Sequence, residues 1–215
     1  MKKPLIIPTI LVKSKSAYLN RIKTYERYFR LAQIDVLNNT FVKSKSYYCR
    51  QTTGKIKTPL FFEVHLMINN PQNFIKRWKS LPSIKRFYLH VETINPKTFS
   101  QVIKDLTKTK IKVGLAINPE TPLNQIRPYQ DKIDSLLILA VNPGKNGAPF
   151  ITNTYRKIKK AKKMFPQLNI GIDGGVSDKN AHKLISAGAD SLAIGSFFHN
   201  SDNLENYYQK LRIVK

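Results

Sequence analysis

Short apolar runs rich in β-branched residues recur along the chain, and each is followed by a stretch whose apolar positions repeat at helical spacing. Strands are predicted over residues 5–11, 32–37, 61–67, 87–91, 113–117, 136–141, 170–172 and 191–194. Helices are predicted between them over 17–30, 71–79, 96–108, 122–130, 151–165, 178–187 and 200–211. Residues 43–58 carry little pattern and are assigned to a lid or a subunit contact. Strict alternation of this kind requires parallel strands joined by right-handed crossovers, and eight such units close most naturally into a (β/α)8 TIM barrel. An open doubly wound sheet is the alternative, but a Gly-x-Gly-x-x-Gly fingerprint after the first strand is absent. No linker, repeat or low-complexity tract interrupts the pattern, so residues 1–215 are expected to form a single compact α/β domain.

The apolar run Leu5 to Val12, behind Lys2 and Lys3, imitates a secretory signal. Pro4 and Pro8 punctuate it, and Lys13 and Lys15 stand where a cleavage site would be, which favours a buried first strand. No apolar stretch approaches the ~20 residues of a membrane span. A single cysteine, Cys49, excludes an internal disulfide and fits the cytoplasm. The 37 Lys and Arg outnumber the 13 Asp and Glu, for a formal charge of +24. Such an excess admits nucleic acid as a partner. The densest basic segment nevertheless reads as the solvated back of an amphipathic helix: Ile151, Tyr155, Ile158 and Phe165 share one face, and Arg156, Lys159, Lys160 and Lys163 another. Lys162 falls on the apolar side and must snorkel.

In a barrel of this type the chemistry sits at the C-terminal ends of the strands. Period-two alternation sends Gln33, Asp35 and Leu37 to one face of the second strand, and Glu63, His65 and Met67 to one face of the third. The seventh strand ends in Asp173-Gly174-Gly175. Carboxylates and an imidazole facing a barrel interior are costly unless they are paired, metal-bound or catalytic. Asp35, His65 and Asp173 are therefore candidate functional residues, with a buried structural network as the competing account. His90, with Glu92 two residues on, is expected to be a core hydrogen-bonding group, and His182 and His199 surface residues. Glycines close three successive strands: Gly144 and Gly147 after the sixth, Gly174 and Gly175 after the seventh, and Gly195 before Ser196 after the eighth. Clusters there let backbone N–H groups approach an anion, which points to a phosphate.

The chain also resembles the ribulose-phosphate 3-epimerases and their relatives. The resemblance is carried by Val64-His65-Leu66-Met67, His90-Val91-Glu92, Asn118-Pro119-Glu120-Thr121-Pro122, Val141-Asn142-Pro143-Gly144, Asp173-Gly174-Gly175-Val176 and Gly195-Ser196, in family order over nearly the whole length. It implies a cytoplasmic enzyme of the pentose phosphate pathway that inverts C3 of D-ribulose 5-phosphate to give D-xylulose 5-phosphate through an enediolate. It further implies Asp35 and Asp173 as the acid/base pair, and Asp35, His65 and Asp173 as ligands of a divalent Zn, Fe, Mn or Co ion. Thr9, His65 and Met67 correspond to substrate-binding positions, as do Gly144, Gly147, Gly174, Gly175, Gly195 and Ser196 around the phosphate. A homo-oligomer acting on a phosphorylated ketose, away from membranes, completes what the resemblance implies.

The departures fall near the metal. Family members usually carry His-Val-Asp-Val-Met-Asp-Gly-His-Phe at the second strand, where this chain has Gln33-Ile34-Asp35-Val36-Leu37-Asn38-Asn39-Thr40-Phe41. Gln33 stands in place of a metal-binding histidine and offers a neutral amide oxygen, a poorer ligand for zinc-like ions. Two functional classes follow: a working epimerase of this or another ketose phosphate with an altered metal site, or a catalytically impaired relative that binds sugar phosphates or associates with nucleic acid.

Overall fold

The computed structural model describes residues 4–143, 147–199 and 204–212. Eight strands form it: β1 (Leu5–Ile10), β2 (Leu31–Leu37), β3 (Phe61–Met67), β4 (Ile84–His90), β5 (Lys112–Ile117), β6 (Ser135–Leu139), β7 (Asn169–Asp173) and β8 (Ser191–Ile194). They close in sequence order, all parallel, with β1 pairing both β2 and β8. Around them run α1 (Lys15–Tyr25), α2 (Arg50–Lys55), α3 (Pro71–Trp78), α4 (Pro96–Leu106), α5 (Thr154–Met164), α6 (Asp178–Ser186), α7 (Ser196–His199) and α8 (Leu204–Arg212). The TIM-barrel expectation holds.

Local chemistry explains the helix starts. Ser14 accepts the Ala17 N–H ahead of α1, and Asn95 accepts that of Thr98 ahead of α4, where Pro96 takes the first helical position. The helix expected over 122–130 is instead a 3-10 helix, Leu123–Lys132, with Pro128 inside it. Proline has no N–H to donate and its ring crowds the preceding turn, so a regular α-helix cannot run through this position. Within the weakly patterned segment, α2 is tied to α1 by a 2.9 Å hydrogen bond between Thr53 and the Tyr18 hydroxyl. Tyr47 and Tyr48 pack on the same core.

Side chains on alternate strand positions feed two cores. Outward residues such as Ile34, Val36, Val64 and Leu66 meet the helices in one continuous shell, while Tyr88, Ala116, Leu137 and Leu139 fill the barrel itself. Below that plug, buried Glu63 pairs with Arg86 at 3.2 Å, and Arg86 reaches Asp134 at 2.7 Å. On α5, Ile158 is buried while Arg156, Lys159, Lys160 and Lys163 are exposed, as the amphipathic pattern requires. Lys162 snorkels to Asp190, 2.6 Å away. Among the described residues no helix is long and apolar enough to cross a membrane.

Candidate active site

The register of β2 against β3 sets Asp35 opposite His65, and Gln33 opposite Glu63. Both Asp35 and His65 are inward-facing and buried, and Asp173 joins them from the end of β7. Ligand atoms of Asp35, His65 and Asp173 all lie within 4.8 Å of one another. His65 Nδ1 sits 3.4 Å from Asp35 Oδ1 and 3.2 Å from Asp173 Oδ2. Gln33 enters from below, its Nε2 donating at 2.8 Å to Asp35 Oδ1 and at 2.8 Å to Asp173 Oδ2. Sequence reasoning expected the amide oxygen at this point. The nitrogen faces the carboxylates because two anionic acceptors converge there, and a donor is the atom they attract.

Burial raises the Asp35 carboxyl, contact with His65 opposes this, and the nearby charge of Asp173 adds to the rise. For His65, burial works against the charged ring, but contact with Asp173 and Asp35 outweighs it and holds the pKa up at about 9. The His65 ring thus sits between two carboxyl groups whose proximity favours its protonated form.

A cleft opens above this cluster. Thr9, Asp35, His65, Met67 and Asp173 line its floor and sides, and Gly147, Gly174, Gly175, Gly195 and Ser196 its rim. Gly144 lies outside the described residues. Gly174 adopts φ +99°, and a Cβ there would lie 2.3 Å from the Val141 side chain. At Gly195 an added Cβ would lie 2.7 Å from Thr9 Oγ1, so the β8 backbone comes right up to the threonine hydroxyl. His199, expected at the surface, is half-buried and sits 3.0 Å from the Thr9 carbonyl oxygen. Asn38 and Thr40 stitch two loops together: Asn38 accepts from the Thr40 hydroxyl at 2.6 Å, and that hydroxyl accepts the Asn69 N–H at 2.9 Å.

His90 is buried and hydrogen-bonded, as expected, with Glu92 Oε2 3.1 Å from its Nδ1, but the connection continues into the site. His90 Nε2 is 2.9 Å from His65 Nε2, and the two rings stack. Burial brings His90 down to about 4, with Glu92 opposing and His65 adding to the fall. Lys157 carries a further unexpected connection, donating from one ammonium to the carbonyls of Asn118, Pro119 and Thr121 at 2.7 to 2.9 Å. Alternation along β4 from Arg86 through Tyr88 could have placed His90 inside the barrel; nothing in the amphipathic pattern of α5 distinguishes Lys157 from its basic neighbours.

Comparison with known proteins is consistent with this arrangement. The model of the ribulose-phosphate 3 epimerase family matches residues 5–199. The chain is 30% identical over 156 residues to the ribulose-phosphate 3-epimerase of Schizosaccharomyces pombe, covering 73% of this chain and 67% of that one. It is 28% identical over 223 residues to that of Bacillus subtilis, covering 96% and 97%. Among solved structures, 3-hexulose-6-phosphate synthase from Salmonella typhimurium superposes with a TM-score of 0.75 at 12% identity, over 98% of this chain and 97% of that chain, which is a likeness of fold.

Proposed function

Because the chain belongs to the ribulose-phosphate 3-epimerase family, we propose that it inverts C3 of D-ribulose 5-phosphate, with Asp35 and Asp173 as the acid/base pair. The observation that carries this is the convergence of two interior carboxylates and His65 at the floor of the glycine-rimmed cleft. Inversion next to a carbonyl needs a proton removed from one face and another delivered to the opposite face. One carboxyl group, entering ionised, takes the C3 proton as the enediolate forms; the other, entering protonated, gives its proton to C3 from the far side and is left ionised. The reaction is reversible, so each carboxylate serves as base in one direction and acid in the other. Gln33 and His65 hold both carboxylates in place without competing for the substrate proton. Met67 and Leu139 exclude water from the reacting carbon, and Thr9 and the backbone at Gly174, Gly175, Gly195 and Ser196 bind the hydroxyls and phosphate.

The donor set fits a divalent cation. Three potential ligand atoms are clustered, and His65 Nδ1 is buried without a hydrogen-bond partner. Gln33 Oε1 is a second buried atom without a partner, and a half-turn of the amide would exchange it with Nε2. Asp35, His65 and Asp173 would hold the ion, with Gln33 as a weaker fourth ligand. When bound, the ion supplies Lewis-acid stabilisation of the enediolate.

The test is incubation with D-ribulose 5-phosphate in D2O, without metal and with Zn2+, Mn2+, Fe2+ or Co2+, with deuterium at C3 and xylulose 5-phosphate followed by NMR. Deuterium incorporation with product formation is expected, strongest with one of the ions. Binding of a phosphate ligand with no exchange under any ion would overturn the epimerase in favour of a sugar-phosphate-binding role.

A further inference from the structure

The hydrogen bonds behind His65 have a direction that is set from outside the site. At the outer end stands the backbone N–H of Asn118, which donates to Glu92 Oε1 at 2.9 Å and cannot act as an acceptor. The Thr121 hydroxyl donates to the same oxygen. The other carboxylate oxygen, Oε2, lies 3.1 Å from His90 Nδ1. An ionised carboxylate only accepts, so His90 carries its proton on Nδ1. In a neutral imidazole the opposite nitrogen is then an acceptor, and His90 Nε2 faces His65 Nε2 at 2.9 Å. His65 must therefore donate from Nε2, so that whenever a cation takes the place of the ring's second proton the lone pair lies on Nδ1, the atom facing Asp35 and Asp173. Each assignment forces the next.

We propose that Glu92 is a positioning residue for the metal centre: acting through His90, it fixes His65 in the tautomer that presents Nδ1 to a cation. This rests on the metal reading of the site given above. Histidine ligands are commonly oriented through their second nitrogen, and loss of such partners typically weakens metal binding by about 10- to 100-fold. Here the partner is another histidine, so control passes one residue further out, to the carboxylate. The loop that holds Glu92 is itself fixed by Lys157, which occupies its ammonium protons with carbonyls of Asn118, Pro119 and Thr121. α5 thus reaches the metal centre through a loop, a carboxylate and two imidazoles.

Glu92→Gln tests the chain of donors at nearly constant shape. The Asn118 N–H requires an oxygen opposite it, so the new amide turns its NH2 toward His90. His90 Nδ1 must then accept, its Nε2 must donate, and His65 becomes protonated on Nδ1, where the cation should bind. In the zinc-loaded unaltered protein, nitrogen-15 NMR of the histidine rings is expected to show the proton on Nδ1 of His90 and on Nε2 of His65. In E92Q the His90 proton is expected on Nε2, and the Co2+ affinity, measured by competition with a chromogenic chelator, is expected to fall about 10- to 100-fold. An E92Q protein that binds Co2+ within about twofold of the unaltered chain, with the His90 proton still on Nδ1, would overturn the proposal. If E92Q does not fold, the unaltered protein decides alone, because a His90 proton on Nε2 contradicts the relay. Failure of the unaltered chain to bind any of the ions would instead overturn the metal reading.

Discussion

Two clusters of buried charge share one barrel interior, and they are built on opposite principles. In the lower one, Glu63 and Asp134 are joined by Arg86, whose guanidinium reaches both at 3.2 and 2.7 Å. In the upper one, Asp35 and Asp173 have only His65 and the neutral Gln33 amide between them, and two polar atoms remain without partners. The lower cluster is complete with what the chain supplies. The upper is complete only with something added, either a proton on the imidazole or a cation. A cleft opens over the second and the Tyr88 plug separates it from the first. Burial of a carboxylate therefore says little about function; what its charge is paired with decides.

The largest effect should come from the upper cluster. Asp173→Asn is expected to lower turnover of D-ribulose 5-phosphate about a thousandfold, since it removes one of the two proposed proton-transfer groups. Thermal unfolding should show no loss of stability, because the change relieves one of two neighbouring like charges. Turnover within tenfold of the unaltered protein would break the distinction drawn above.

Arg86→Met should do the reverse. It leaves buried Glu63 without its cation, and removal of one partner of a buried pair costs about 3–5 kcal/mol, readable by urea unfolding. Turnover per folded molecule should stay unchanged, and a selective loss of activity would show that the two clusters are coupled. A smaller gain is expected for Gln33→His, which restores an imidazole facing Asp35 and Asp173. Zinc affinity should rise about tenfold, equivalent to about 1.4 kcal/mol, in a chelator competition. No change would mean that position 33 does not reach the ion.

The smallest expected effect is a pH dependence. Burial alone would raise Glu92, but its bonds from His90, Asn118 and Thr121 win and bring it from 4.5 to about 2. A carboxylate lowered in the folded state stabilises above its unfolded pKa and loses that contribution as pH falls through its folded value. The difference in urea midpoint between the unaltered chain and E92Q should therefore narrow from about pH 5 towards about pH 2. A gap that widens on acidification would contradict the ionised form of Glu92.

Much of this could be read from the order of residues, because both periodicities are local. Alternation alone placed Asp35 and His65 on interior faces, and helical spacing found the buried side of α5 around Ile158. What local order does not contain is the stagger between strands. Glu63 and His65 share a face of β3, yet one meets Arg86 and the other meets Asp173. Only the closed register separates them into a structural and a functional layer. The same limit hid the link from His65 to His90, whose strands are neighbours but whose ring contact depends on barrel curvature. In residues 43–58 there was no apolar period to find, since α2 is short and held through Thr53 rather than through a stripe of aliphatic side chains.

The pairing of β1 with β8 carries a consequence for biosynthesis. Thr9 belongs to the first strand and Gly195 follows the last, and they meet across the seam where the ring of strands closes. A nascent chain that has emerged from the ribosome only as far as β7 has an open edge on β1 and nothing to set beside Thr9. The cleft beside Thr9 thus comes into being late in synthesis and all at once, and its formation reports that the first and eighth strands have found each other.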